Sequence, residues 1–151
     1  MIIHKVHLTP FGGTADSSYC FEPGLNVLLG PNEAGKSTLV NAIFAALFMP
    51  HNIRRGSSDW KDILTKYLPY PDGDTCRVTL SFQGADGTGY RYTCAWGDAK
   101  EARLIAANGS EINNPAEIAN RLQKALRLGR GTYQGVLFAR QAEMMETLTR
   151  I

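Results

Sequence analysis

The amino-acid sequence predicts an α/β fold in which an antiparallel β meander packs beside a strand, a glycine-rich loop and a helix. Residues 25–29 form a short apolar run that leads directly into the glycine-rich loop. Apolar residues then recur at helical spacing over 36–48. Residues 78–112 alternate in polarity between turn signals, which is typical of antiparallel strands.

Length and composition indicate one globular domain. The chain has 151 residues, of which 44% are apolar, so it is long enough to bury a core. We expect one domain over 1–151, with the strands, loop and helix in 1–50, an antiparallel β insertion in 78–112 and a helix and strand in 114–151. No apolar run approaches the roughly 18 residues of a membrane span, and no secretory signal begins the chain. The expectation is a cytoplasmic protein without a membrane partner.

The cysteines and the first two histidines give no indication of a metal site. Cys20, Cys76 and Cys94 are odd in number, far apart and without a CxxC pair, which favours reduced buried thiols. His4 and His7 are three residues apart on a predicted strand, so their side chains point to opposite faces.

The first thirty residues predict three strands. Residues 2–9 alternate in polarity, and "FGG" at 11–13 predicts a turn. A second strand in "SSYCF" is followed by a Pro23-Gly24 turn. The run at 25–29 is apolar on both faces apart from one asparagine, as in a strand buried within a covered sheet.

Helical periodicity predicts a mostly buried helix over 36–48 that ends before Pro50. The apolar residues at this spacing are Leu39, Val40, Ile43, Phe44, Leu47 and Phe48. A further short helix is expected around 59–68, within a loop-rich segment. In the predicted meander, "VTLSF", "YRYTCAW" and "ARLIAANGSEI" are the strands, and an Asn-Gly turn interrupts the last of them.

The next helix is predicted from its ends. Asn114 is a candidate N-cap, Pro115 suits the first turn, Glu117 completes a pattern like a capping box, and Gly129 follows the last turn. Its apolar stripe consists of Ile118, Leu122 and Leu126. The stretch "TYQGVLFAR" then predicts another buried strand, with a helical segment after it.

The glycine-rich loop matches the Walker A pattern GxxxxGK[ST] through Gly30, Gly35, Lys36 and Ser37. Phosphate oxygens must be met by several backbone N–H groups at once, and such a loop forms a nest of them at a helix N-terminus. Lys36 supplies a mobile charge for the β and γ phosphates, and the Ser37 hydroxyl is a hard ligand for Mg²⁺. The predicted nucleotide-binding residues are Gly30, Asn32, Glu33, Ala34, Gly35, Lys36, Ser37 and Thr38, the last of these on the α phosphate.

Other motifs narrow the class of nucleotide enzyme. A GTPase is not indicated, because no NKxD element occurs and "DGTG" at 86–89 falls in a predicted hairpin turn. A small-molecule kinase would need an arginine-rich lid, for which Arg54-Arg55-Gly56 is the only candidate. A complete small P-loop kinase remains an alternative.

Basic residues are concentrated near the C-terminal end of the sequence. Arg121, Lys124 and Arg127 have the spacing of one helix face, and no acidic residue occurs between 121 and 140. A solvated helix face explains this pattern, and so does a surface that contacts nucleic-acid phosphates.

The chain resembles the N-terminal lobe of SMC-like ABC ATPases over essentially its whole length, from Met1 to Ile151. The resemblance is strongest at 24–48, weaker at 133–148, which contains "GVLFARQAEMMETL", and weakest between these stretches. This group includes proteins of the SbcC, RecF, RecN and YhaN types. Many of its members carry a phosphate-reaching arginine where this chain has Gly12 and Gly13 after Phe11. That departure favours the YhaN-like branch.

The resemblance implies further site residues. Gln141 falls at the position of the Q-loop glutamine, whose amide offers an oxygen to Mg²⁺ and an N–H₂ group to the attacking water. Lys36 and Gln141 are thus the expected catalytic residues, with Ser37 and Gln141 as metal ligands. Arg54 or Arg55 is expected to contact the nucleotide.

The resemblance also implies elements that this sequence does not contain. No apolar run ends in the Asp-Glu pair of a Walker B strand, and no LSGGQ-like signature occurs. We expect both in a C-terminal ATPase lobe of the same or a partner chain. Hydrolysis of ATP would then need that lobe in an ATP-dependent head dimer, with DNA and a nuclease subunit as further partners. A non-catalytic, nucleotide-gated dimerisation or DNA-contact module is the other alternative.

Overall fold

A computed structural model describes residues 1–31, 35–62, 64–69, 73–126 and 132. The strands in these ranges are β1 (Ile2–Leu8), β2 (Ser17–Cys20), β3 (Thr75–Gln83), β4 (Gly89–Gly97), β5 (Glu101–Ala106) and β6 (Glu111–Ile112). The helices are α1 (Lys36–Phe48), α2 (Ser58–Asp62) and α3 (Pro115–Leu126), and a 3-10 turn spans Leu64–Lys66. The short helix expected around 59–68 thus corresponds to α2 and the 3-10 turn.

The described strands form one antiparallel sheet in the order β2-β1-β3-β4-β5-β6. The predicted meander is confirmed as β3 to β6, and "DGTG" lies at the β3–β4 hairpin, as predicted. The meander is continuous with the N-terminal hairpin because β1 pairs with β3, with Val6 opposite Leu80 and Leu8 opposite Val78. The N-terminal strands and the insertion therefore share one sheet.

One face of this sheet holds the core. Alternate residues of the central strands are buried there, among them Val6, Leu8, Val78, Leu80, Tyr92, Cys94, Trp96 and Leu104. Helices α1 and α3 contribute Leu39, Leu47, Ile118 and Leu122 to the same cluster. The intervening residues of the strands, such as Lys5, Ser81 and Arg91, lie in a row across the opposite, polar face.

Helix α1 has the predicted bounds, but its buried side is made of smaller residues than expected. Ala42, Ala45 and Ala46 are buried with Leu39 and Leu47, whereas Val40 is 42% exposed. Small side chains allow a helix to lie close to the sheet. The apolar pattern predicted the helix correctly and was wrong about the burial of Val40.

The predicted buried strand at 25–29 is wrong for the described residues. The segment does not form a β-strand. Its apolar side chains are exposed, at 92% for Leu25, 68% for Val27, 44% for Leu28 and 86% for Leu29. A strand needs a neighbour to pair with its N–H and C=O groups, and none of the six described strands pairs with this segment. Its apolar composition therefore produces an exposed apolar surface.

Helix α3 begins as predicted. The Asn114 Oδ1 atom accepts hydrogen bonds from the N–H groups of Ala116 at 3.0 Å and Glu117 at 3.2 Å, which is the geometry of an N-cap. The predicted apolar stripe of the helix is buried, and Ala125 is buried with it. The predicted glycine end at Gly129 lies outside the described residues, as does the predicted strand after it except for Thr132.

The chain after α1 is fastened to the sheet by polar contacts. The Trp96 Nε1–H group donates to the carbonyl of Pro50 at 3.0 Å. The Tyr92 hydroxyl lies 3.0 Å from His51 Nε2, and the His51 ring is nearly parallel to that of Trp96. These contacts hold residues 50–51 against β4.

The three cysteines are free. Cys76 and Cys94 are buried as predicted, and burial raises the pKa of the Cys76 thiol to about 12. Cys20 lies on the edge strand β2 and is exposed, so the prediction of burial was wrong for it. Within the described ranges, no helix is long and apolar enough to cross a membrane, and no three His, Cys, Asp or Glu side chains cluster as metal ligands.

Candidate nucleotide-binding site

The start of α1 has the geometry of an anion site. Gly35 is the N-cap and has φ 79°, in the left-handed region that favours glycine. No described side chain caps the helix, and its first turn contains no acidic residue. A helix N-terminus presents N–H groups that the helix itself does not satisfy, and its dipole attracts negative charge. These groups are therefore suited to phosphate oxygens.

Lys36 is the first residue of α1 and carries a positive charge. Its Nζ atom donates hydrogen bonds to the carbonyl oxygens of Gly30 and Pro31, at the other end of the loop. The lysine side chain thus spans the loop that begins at Gly30. This position is suited to phosphates that are bound at the N-terminus of α1.

The neighbouring hydroxyls suit the metal that accompanies a nucleoside triphosphate. Ser37 follows Lys36 in the first turn of α1 and is exposed, whereas Thr38 is half-buried. A hydroxyl oxygen beside bound phosphates is a suitable ligand for Mg²⁺, which favours hard oxygen donors. When bound, Mg²⁺ would neutralise charge on the phosphate oxygens.

Two side chains near the loop were not predicted from the sequence. A Cβ atom added at Gly35 would lie 3.6 Å from Thr14 Oγ1 and 4.0 Å from the Tyr19 hydroxyl. Tyr19 points toward the loop because it lies opposite Val6, whose side chain is on the core face. The alternation of "SSYCF" indicates that Tyr19 and Phe21 share a face. Nothing in the sequence indicates that this face meets Gly35.

The two arginines expected near the nucleotide are exposed. The Arg55 Nη1 atom lies 3.2 Å from Asp98 Oδ2, and its guanidinium lies 5.7 Å from the centre of the Trp60 ring. The Arg54 carbonyl accepts a hydrogen bond from Ser57 Oγ at 2.7 Å. A contact from Arg54 or Arg55 to nucleotide stays a prediction.

Some predicted site residues lie outside the described residues, namely Asn32, Glu33, Ala34, Arg127 and Gln141. Arg121 and Lys124 are described and exposed on α3. Both line a cleft of about 320 Å³ with Asp86 and Tyr90. The spacing prediction that Arg121 and Lys124 share one side of a helix is confirmed, and the carboxylate of Asp86 lies beside them.

Three features together define a P-loop NTPase fold of the ABC type. They are the antiparallel sheet, the helix that follows the glycine-rich loop, and the lysine at the start of that helix. The chain belongs to the AAA_23 family, described as an AAA domain, whose family model matches residues 5–144. The match covers the glycine-rich loop, α3 and the described sheet from Lys5 onward.

Curated relatives carry the name DNA double-strand break repair Rad50 ATPase. The chain is 30% identical to the one from Thermoplasma volcanium, over 95% of this chain and 16% of that protein. It is also 30% identical to the one from Nanoarchaeum equitans, over 84% of this chain and 15% of that protein. The chain therefore spans about a sixth of the length of these relatives.

Solved structures show the same fold. The recombination mediator protein RecF-ATP of the RecFOR pathway matches with a TM-score of 0.54 and 18% sequence identity. The match covers 76% of this chain and 28% of RecF. At this identity the similarity concerns the fold alone.

Proposed function

We propose that the chain binds ATP with Mg²⁺ through the loop at 30–38 and serves as one lobe of an SMC-like ATPase in DNA repair. The observation that carries this proposal is the start of α1, a helix N-terminus that no described side chain caps, where Lys36 bonds to the carbonyls of Gly30 and Pro31. The repair ATPase relatives support the choice of ATP. The Gly12-Gly13 pair after Phe11 supports a place in the YhaN-like branch.

The proposed roles follow from the chemistry of each group. Lys36 and the N–H groups of the first helical turn bind the β and γ phosphates and stabilise negative charge that develops on them. Ser37 contributes its hydroxyl to Mg²⁺. Gln141 orients the water that attacks the γ phosphate, through its amide. Arg54 or Arg55 adds a further contact to the nucleotide.

The exposed apolar segment at 25–29 supports completion of the site by a second lobe. Four apolar side chains in this short segment are at least 44% exposed, and contiguous apolar surface of this kind marks interaction sites. The segment leads directly into Gly30. We propose that a C-terminal ATPase lobe covers it and supplies the Walker B carboxylates and the signature loop. ATP would then join two such heads as a dimer.

DNA contact is proposed for the basic surface of α3. Arg121 and Lys124 are exposed on one cleft, and Arg127 continues the spacing in sequence. Cations at this spacing can neutralise successive phosphates of a nucleic-acid backbone. A nuclease subunit is the further partner expected for a repair ATPase of this type.

The proposal is tested by ATP titration of the wild-type chain and the Lys36→Ala variant in the presence of Mg²⁺. We expect Lys36→Ala to weaken ATP binding roughly tenfold or more, because it removes a charge-assisted contact worth about 1.5–3 kcal/mol. Lys61→Ala is the matched control, since Lys61 is exposed on α2. It should bind ATP like the wild type.

A hydrolysis assay separates the proposed function from its alternatives. We expect the isolated chain to release phosphate at background rate and to hydrolyse ATP when the C-terminal lobe is added. Turnover by the isolated chain that Lys36→Ala abolishes would contradict the half-site proposal. Phosphate transfer to a small molecule would favour a kinase, and binding without hydrolysis after the lobe is added would favour a nucleotide-gated module.

A further inference from the structure

Two hydroxyl groups of the β1–β2 hairpin lie beside the start of α1. Outside the helix itself and the neighbours of Gly35, the described atoms nearest to a Cβ atom built at Gly35 are both hydroxyl oxygens. Thr14 Oγ1 would lie at 3.6 Å and the Tyr19 hydroxyl at 4.0 Å. Gly35 is the N-cap residue and has no side chain that could bond the N–H groups of the first turn. An anion at these N–H groups would therefore have two hydroxyls close to it.

The Tyr19 side chain is held in place by the sheet. Tyr19 lies in β2, opposite Val6 of β1, and its half-buried ring packs against the hydrophobic core. Strand β1 pairs with β3 on its other side, so β2 is joined to the interior of the sheet. The phenol group thus extends toward α1 from a regular strand. Because its position is already fixed, little side-chain entropy is lost when it binds a ligand.

The hydroxyl of Tyr19 has no hydrogen-bond partner among the described residues. Other tyrosines of the sheet differ in this respect. The Tyr90 hydroxyl donates to Asp86 Oδ2 at 3.2 Å, and the Tyr92 hydroxyl lies 3.0 Å from His51 Nε2. A tyrosine hydroxyl that is removed from bulk water usually finds a partner. That of Tyr19 is therefore able to bond a ligand at the start of α1.

We propose that Tyr19 is a phosphate-binding residue of the nucleotide site, an inference that rests on the proposed function. Its hydroxyl donates a hydrogen bond to a phosphate oxygen that the N–H groups of the first helical turn also bind. A phenol O–H adds a donor without adding charge, and its bond to a charged oxygen is stronger than a bond between neutral groups. Edge strand β2 thereby takes part in phosphate binding, with the Thr14 hydroxyl beside it.

Removal of the hydroxyl alone tests this proposal, because phenylalanine keeps the ring that packs on the core. Isothermal titration calorimetry measures the binding of ATP and of inorganic tripolyphosphate, each with Mg²⁺, to the wild-type chain and to Tyr19→Phe. We expect Tyr19→Phe to weaken both ligands roughly tenfold, since a hydrogen bond to a charged group is lost. The factor should be the same for both ligands, because the contact is with phosphate and not with the nucleoside.

Tyr90→Phe is the matched control. It removes a hydroxyl that bonds to Asp86 at the β3–β4 hairpin and should bind both ligands like the wild type. Circular-dichroism melting without ligand checks that both variants fold.

NMR of the wild-type chain keeps the proposal testable even if Tyr19→Phe does not fold. In a chain with isotope-labelled tyrosine, the Cζ resonance of Tyr19 responds to a change in the hydrogen bond of its hydroxyl. We expect this resonance to shift when tripolyphosphate and Mg²⁺ are added. At the same ligand concentration it should shift less in Lys36→Ala, which is expected to bind the ligand more weakly. A Tyr19 resonance that stays in place while the wild-type chain binds tripolyphosphate overturns the inference.

The titrations distinguish failure of this inference from failure of the proposed function. If Lys36→Ala weakens both ligands and Tyr19→Phe binds them like the wild type, the hydroxyl does not bind phosphate and the inference is overturned. Weakening of ATP alone by Tyr19→Phe would assign the hydroxyl to the nucleoside, and equal weakening by Tyr90→Phe would indicate a general disturbance. Either result also overturns the inference. If Lys36→Ala weakens neither ligand, the proposed function itself is wrong.

Discussion

His51 shows how one buried side chain makes the stability of this fold depend on pH. Its Nε2 atom contacts the Tyr92 hydroxyl, and its Nδ1 atom is buried with no hydrogen-bond partner among the described residues. Burial lowers the pKa of His51 from its ordinary value of 6.5, because a protonated ring would lose hydration. Two charged residues, Lys100 and Glu101, line the cavity beside His51. Lys100 donates a hydrogen bond to Asn52, and Glu101 forms an ion pair with Arg77.

The direction of the pH dependence depends on whether the folded or the unfolded chain binds a proton at His51 more tightly. The unfolded chain takes up a proton at His51 at higher pH than the folded chain does, so acid favours unfolding. The contribution of neutral His51 to the free energy of unfolding is fully present above the pKa of the unfolded chain, about 6.5. It is lost as the pH falls from there toward the lowered pKa of His51 in the folded chain.

Urea unfolding of wild type and His51→Gln at about pH 7.5 and about pH 5.5 measures this contribution. We expect the free energy of unfolding to fall less with acid in His51→Gln, because glutamine can bond to Tyr92 but does not titrate. His4→Gln, at an exposed position of β1, is the control and should behave like the wild type. An equal acid dependence in wild type and His51→Gln would rule out this account.

At the scale of elements, the end of β4 approaches the start of β3 more closely than a side chain allows. Gly97 has φ 102°, and a Cβ atom there would lie 1.8 Å from the carbonyl oxygen of Asp74. That oxygen also accepts a hydrogen bond from the N–H group of Asp98 at 3.0 Å. The backbones of the two strand ends are thus in direct contact.

We expect Gly97→Ala to lower the free energy of unfolding by about 2 kcal/mol or more beyond the effect of Gly109→Ala. Gly109 has φ 84° but open space around an added Cβ atom, so its substitution costs only the backbone term of about 1 kcal/mol. Urea unfolding of the two variants measures the difference. Equal destabilisation would mean that β3 and β4 separate at little cost at this end.

Local signals predicted the elements well. The alternation of β3 and β4, the helical spacing of α1 and the Asn114 cap are properties of neighbouring residues, and each is confirmed. The run at 25–29 was wrongly predicted as buried because burial depends on what covers a segment, and composition does not say what that is. Val40 was assigned to the buried side for the same reason.

Residues for phosphate binding could be predicted from the sequence because phosphate chemistry demands particular residue types at fixed spacing, and their binding to nucleotide stays a prediction. Lys36, Ser37 and Gly35 lie together at the start of α1, as predicted. The proximity of Thr14 and Tyr19 to Gly35 was not predictable, since it results from the packing of the β1–β2 hairpin beside α1.

At the scale of the whole molecule, the net charge of +2 is too small to drive nucleic-acid binding by itself. The arrangement of charge is what matters. On the polar face of the sheet, Arg77 and Arg103 are paired with Glu101 and Glu111. The cleft of α3 has Arg121 and Lys124 beside the single carboxylate of Asp86.

Charge reversal of Arg121, Lys124 and Arg127 to glutamate should weaken binding to duplex DNA. The slope of log K against log salt should become shallower by about 0.9 for each phosphate contact removed. Fluorescence anisotropy at several salt concentrations measures both. Reversal of Lys5, Lys61 and Arg91, which are exposed and lie outside α3, changes the net charge equally and is the control. If both triple variants weaken DNA binding equally, the effect is due to net charge, and the prediction of a contact at α3 is wrong.

The exposed segment at 25–29 ends where the phosphate loop begins, at Gly30. A partner that orders the backbone of this segment would also order Gly30. Gly30 is the first residue of the loop, and its carbonyl oxygen accepts a hydrogen bond from Lys36. Two binding events that order the same piece of chain are thermodynamically coupled, and the coupling is reciprocal. If the chain binds ATP and a second lobe as proposed, the factor by which ATP raises the affinity for that lobe is also the factor by which the lobe raises the affinity for ATP. Assembly of the proposed heads would then respond to the concentration of ATP without hydrolysis.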